Sequence, residues 1–74
     1  MDSIAFPLRG EHITLDVLLK ATGLADSGGG AKQLIAAGAV QVNGAVETRR
    51  GRKLRAGDAV ELAGQCVQLQ GAAA

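Results

Sequence analysis

The 74-residue sequence has almost no aromatic side chains: Phe6 stands alone, with no Trp and no Tyr. The core must then be aliphatic, and a platform of rings for stacking unpaired bases cannot be built. Cysteine occurs once, at Cys66. An intramolecular disulfide and a cysteine-rich metal site are both excluded. Cys66 lies in an alternating apolar segment and reads as a buried strand thiol, compatible with a reducing cytoplasm. Histidine also occurs once, at His12. Beside Arg9, Gly10 and Glu11 it reads as a solvent-facing turn residue rather than a catalytic base. No apolar run approaches the length of a membrane span. Asp2 and Pro7 among the first residues argue against a signal peptide. The sequence offers no paired carboxylates at helix spacing, no nucleophile–base pair and no metal constellation. The expectation is therefore no enzyme, no cofactor and no metal.

What is present is a segregated charge. The formal net charge is only +1. Residues Glu47-Thr48-Arg49-Arg50-Gly51-Arg52-Lys53-Leu54-Arg55 hold five positive charges and one negative, a net of +4. The rest of the chain holds three positive and six negative, a net of −3. Such a concentration is either a solvated loop or a site for a polyanion such as RNA or DNA. An acidic protein surface is the remaining kind of partner, which would make the chain an interaction adaptor. With 47% apolar and 20% charged residues the chain has a globular composition. Its length fits one domain over residues 1–71, with 72–74 as a frayed tail.

Taken in order, Ile4, Phe6 and Leu8 alternate as in a strand, and Pro7 places that strand at an edge or at its own end. Thr14 is a plausible helix N-cap, with Asp16 in the first turn. Leu15, Leu18, Leu19 and Thr22 form one helix face, and Gly23 suits its C′ position. Asp26 or Ser27 can cap a second helix, in which Ala31, Leu34 and Ile35 face inward and which Gly38 ends. Gly28, Gly29 and Gly30 open it. They are either a flexible connection or bare backbone that a phosphate can approach, with Lys32 one turn in. No Gly-Lys-Ser/Thr occurs, which excludes a nucleotidase P-loop.

Val40 to Val46 around Asn43-Gly44 spell a β-hairpin. A three-residue loop over Val42, Asn43 and Gly44 would pair Val40 with Val46 and Gln41 with Ala45. That register puts apolar residues together and is the one expected. Val60, Leu62, Val67 and Leu69 then share one side of a second hairpin, joined by Ala63-Gly64-Gln65. The order is strand, helix, helix, four short strands. It predicts an α+β fold with two short helices packed on a small antiparallel sheet.

These residues resemble a known family. Ser27 opening a helix through Ala31-Lys32-Gln33-Leu34-Ile35, then Gly38 to Gly44, then Gly57-Asp58-Ala59-Val60, is similar to the S4 RNA-binding domain with its αL motif. The similarity covers about residues 13–64. The glycines at 28–30 and the stretch 48–54 further resemble the small stand-alone S4-like proteins of bacteria, the YbcJ type. The resemblance implies that the chain is a whole protein and not an appendage of an enzyme. It implies a non-catalytic function: binding structured RNA through phosphate and shape contacts, at the second helix and the loops around the hairpin. Ser27 and Lys32 match the family's helix-start serine and mid-helix basic residue, and Asn43 and Gly44 match its hairpin tip. Many members carry an arginine directly after that serine, where this chain has Gly28. The Arg49–Arg55 stretch would then supply the missing charge from across a groove.

The residues expected at an RNA interface are Ser27, Gly28, Gly29, Lys32, Asn43, Arg49, Arg50, Arg52, Lys53 and Arg55. Strand-like alternation would set Arg50 with Arg52 and Arg49 with Lys53, unless Gly51 breaks it. The expected partner is ribosomal RNA, tRNA or a small structured RNA. Ribosome association is one setting for it, with no membrane and a monomeric, cytoplasmic chain.

Overall fold

The computed structural model describes residues 2–71. The tail expected at 72–74 lies outside them. The chain runs β1 (Asp2–Pro7), β2 (Ile13–Thr14), α1 (Leu15–Ala21), α2 (Gly28–Ala36), β3 (Gln41–Val42), β4 (Ala45–Val46), β5 (Lys53–Leu54), β6 (Ala59–Leu62) and β7 (Gln65–Gln70). Two helices pack on a five-stranded sheet of order β1-β7-β6-β3-β4, and β2 pairs with β5 in a separate two-stranded ribbon. The sheet is mixed rather than purely antiparallel, because β1 runs parallel to β7. Alternation in β1 predicts a strand but carries no information about the direction of its partner. Pro7 is the last residue of this edge strand, where its missing N–H costs no ladder bond.

The core is aliphatic, as the composition requires. Leu15, Leu18 and Leu19 of α1 and Ala31 and Ile35 of α2 bury against Val42, Val60, Leu62, Val67 and Leu69 of the sheet. Val40 and Leu54 are fully buried between the elements, while Phe6 only borders the cluster. Cys66 is half-buried, on the β7 face opposite Val67 and Leu69, and not the buried thiol expected. His12 is exposed.

The first hairpin takes the two-residue register. Val42 faces Ala45 and Gln41 faces Val46. Val40 does not pair with Val46, because β4 is an edge strand whose residues are both exposed, so burial does not set its register. Turn chemistry decides instead. Asn43 has φ 53° and Gly44 φ 84°, the pair of positive values that a two-residue type I′ turn requires. Val42 finds its apolar partner on the other side, Val60 of β6. The second hairpin is built the same way, on Ala63 (φ 53°) and Gly64 (φ 81°), with Leu62 opposite Gln65.

Candidate functional site

The basic stretch begins where the first hairpin ends. Glu47 donates its N–H to the carbonyl of the buried Val40 (3.0 Å), which extends the β3–β4 ladder by one bond. At the other end Lys53 and Leu54 pair with Thr14 and Ile13, and the Leu54 side chain is fully buried. Between these anchors the chain turns at Arg50-Gly51, with the Arg52 N–H bonded to the Arg49 carbonyl (3.2 Å). Two further bonds fix the turn to the start of α1. The Arg52 carbonyl accepts from Leu15 N–H (2.9 Å) and the Arg50 carbonyl from Asp16 N–H (3.1 Å). These carbonyls satisfy two of the orphan donors at the helix N-terminus. Thr14 occupies the N-cap position without a side-chain cap bond. The loop backbone therefore does what a capping side chain does elsewhere, and in return its own path is set by a helix.

Glu47 organises the side chains. Its carboxylate accepts from Arg49 Nε (3.1 Å), Arg49 Nη2 (3.0 Å), the Arg49 backbone N–H (3.1 Å) and Arg52 Nη1 (3.0 Å). The Glu47 side chain is only 9% exposed, whereas that of Arg49 is 74% exposed. The Arg49 guanidinium, then that of Arg52 and the Arg49 amide, hold the Glu47 carboxyl down at about 2. Glu47 in turn raises the Arg49 value above its ordinary one. The carboxylate is thus ionised across the neutral range. Gly51 does break the strand alternation, and the grouping that results is Arg49 with Arg52 on one carboxylate. Arg50 and Lys53 are exposed, and neither has an ion-pair partner among the described residues.

The second group of expected residues lies elsewhere. Ser27 caps α2, its Oγ accepting from the Gly30 N–H (3.0 Å). Gly28 and Gly29 form the exposed first turn, and Lys32 is exposed one turn on. A side-chain carbon at Gly28 would lie 4.0 Å from Lys20 Cδ, at the last turn of α1. The glycine-rich start thus adjoins the C-terminal end of α1, while the arginine turn caps its N-terminal end. The seven residues of α1 separate the two, roughly 10 Å at the rise of a helix. The groove expected between Lys32 and Arg49–Arg52 would have to join these two ends, and the cavities found at them share no residue. The cavity at the α2 start, about 750 Å³, is lined by residues 24 to 37 and none of the arginines. The one at the arginine turn, about 470 Å³, is lined by Arg49, Gly51, Arg52 and Lys53.

Asn43 is already engaged within the fold. Its Nδ2 donates to Asp58 Oδ1 (3.1 Å), and its Oδ1 accepts from Ala59 N–H (2.9 Å). Asp58 also accepts from the Arg55 N–H (2.8 Å). That bond, followed by burial working the other way and the Asn43 amide, sets its carboxyl below the ordinary range. Arg55 is exposed beside this latch. Neither the latch nor the role of Glu47 was apparent from the sequence. Glu47 stands two residues before Arg49 and five before Arg52, but only the turn at Gly51 brings both arginines to it.

Two helices on a mixed sheet, with an arginine-rich turn seated on the start of the first helix, define a small α+β domain. The chain belongs to the S4 domain family, whose family model matches residues 6–70. It is 50% identical over 58 residues to YbcJ of Escherichia coli strain K12, covering 78% of this chain and 83% of that one; the name given to YbcJ is, provisionally, that of an RNA-binding protein. It is 46% identical over 54 residues to RlbA of Bacillus subtilis strain 168, covering 73% and 76% of the two chains; RlbA is named, again provisionally, as a ribosome maturation protein. The solution structure of Escherichia coli YbcJ is similar, with a TM-score of 0.66 and 43% identity over 95% of this chain and 87% of that one. It is described as showing an αL motif involved in RNA binding. No helix among the described residues is long and apolar enough to cross a membrane.

Proposed function

We propose that this chain binds structured RNA and catalyses no reaction on it. One observation carries the reading: an arginine turn held in place by the hairpin, by β2 and by α1, on a domain of the S4 family. Arg49, Arg50, Arg52 and Lys53 contact phosphates. Arginine suits bidentate phosphate contact and lysine point-charge neutralisation. Lys32, with Ser27, Gly28 and Gly29, forms a second contact at the far end of α1, which an RNA helix lying along α1 reaches. Arg55 is a peripheral contact. Asn43 acts through the hairpin's shape rather than by touching RNA. A-form RNA is recognised by shape, 2′-hydroxyl and phosphate contacts, which a domain without aromatic platforms can supply.

The name of the Bacillus relative makes ribosomal RNA the first RNA to test. The reading takes the chain to act as a cytoplasmic monomer. Fluorescence anisotropy with a labelled ribosomal RNA hairpin, a labelled tRNA pool and labelled polyuridylate tests it. Both structured probes are expected to bind more tightly than the single strand. With about four phosphates neutralised, the log–log salt slope should be near −3 to −4. A flat salt response would remove the mechanism.

A further inference from the structure

We infer that Glu47 is a positioning residue for RNA, holding Arg49 and Arg52 as a preformed pair of guanidiniums. This rests on the reading that the arginine turn binds RNA phosphates. A carboxylate inside a phosphate-binding loop would ordinarily count against binding, since it repels the ligand and competes for the arginines. The geometry points the other way.

Glu47 is tied by its own N–H to the carbonyl of the fully buried Val40. Its side chain is almost wholly covered, so the carboxylate is a fixed point and not a mobile competitor. Arg49 spends only its Nε–H and one Nη2–H on that point, and Arg52 only one Nη1–H. Each guanidinium has five N–H donors. Three remain on Arg49 and four on Arg52. The Arg49 head is largely exposed, so its remaining donors face solvent.

An unrestrained arginine loses rotamer freedom when it grips a phosphate, and that loss weakens binding. Here the loss is taken on folding, because two long side chains are already fixed on one buried acceptor. The arrangement also cancels one of the two charges at close range. The pair therefore meets RNA as an oriented donor array with a single net positive charge. Arg50 and Lys53, with no ion-pair partner among the described residues, supply the untethered charge beside it.

The consequence has a sign that bulk electrostatics cannot mimic. Glu47→Gln makes the chain one unit more positive. If Glu47 only competes with phosphate, the variant binds RNA more tightly and with a steeper salt slope. If Glu47 positions the pair, the variant binds more weakly despite its higher charge, by on the order of tenfold for two side chains released.

The experiment is anisotropy with the labelled ribosomal RNA hairpin over a salt series, on wild type and Glu47→Gln, with thermal melts of both to register folding. A second variant, Glu47→Asp, keeps the charge and, one methylene shorter, draws the carboxylate back from both arginines. It is expected to weaken binding several-fold at an unchanged salt slope, and it decides the matter if Glu47→Gln does not fold. Tighter binding by Glu47→Gln, or Glu47→Asp binding like wild type, overturns the positioning role. If the wild type itself binds neither structured probe, the RNA reading falls, and that result is distinct from either variant outcome.

Discussion

Asn43 and Ala63 occupy the same place in two hairpins, both at φ 53°, and only Asn43 is chemically suited to it. Asparagine tolerates the left-handed region because its short polar side chain can bond locally. Asn43 does so across the sheet, to Asp58 and to the Ala59 N–H, and so ties the tip of the first hairpin to the start of β6. Ala63 has no such side chain and carries the strain outright. Asn43→Ala should therefore cost about 1–2 kcal/mol: two exposed hydrogen bonds and part of the left-handed penalty. Ala63→Asn should gain up to about 1 kcal/mol. Urea midpoints at constant m-value check both. If Asn43→Ala melted like wild type, Asn43 would be free for a direct role at the surface, and the latch would be incidental.

At the scale of elements, α2 presents a conflict between propensity and position. Gly28, Gly29 and Gly30 form the first turn of the helix, where each is worse than alanine by up to about 1 kcal/mol. The fold does not require them. An added side-chain carbon would meet nothing closer than 4.0 Å at Gly28, 3.9 Å at Gly29 and 3.5 Å at Gly30. None of the three has a positive φ. Gly29→Ala should then raise stability by up to about 1 kcal/mol, a rise of roughly 4–8 °C in Tm for a domain of this size. If bare backbone there approaches RNA, the same variant should bind the ribosomal RNA hairpin more weakly. A more stable protein of unchanged affinity would confine the contact to the arginine turn. The helices themselves were legible, because Leu15, Leu18 and Leu19 fall at helix spacing and all bury. So were the hairpin positions, from Asn43-Gly44 and Ala63-Gly64. The capping of α1 was not legible. It is made by backbone carbonyls at Arg50 and Arg52, and a carbonyl is the one group every residue carries.

For the whole molecule, the segregation of charge was legible by counting, but its geometry was not. A tally of +4 treats five cations alike, whereas folding sorts them. Arg49 and Arg52 share Glu47, while Arg50 and Lys53 stand exposed with no ion-pair partner among the described residues. Nor could alternation show that the glycine-rich start of α2 lies by the last turn of α1 while the arginine turn caps its first. The sorting makes Arg50 the cleanest probe of the charge itself. Its carbonyl binds Asp16 N–H, a bond that a side-chain substitution leaves in place. Arg50→Ala should therefore keep stability within about 0.5 kcal/mol of wild type. It should reduce the magnitude of the RNA salt slope by up to about one. Arg52→Ala should lower the slope as well, but with a loss of stability, because it takes a partner from a nearly buried carboxylate. Salt titrations of RNA binding, alongside thermal melts, separate the two effects. If Arg50→Ala left the slope unchanged, its charge would not lie at a phosphate. An acidic protein surface would then be the better partner for the loop.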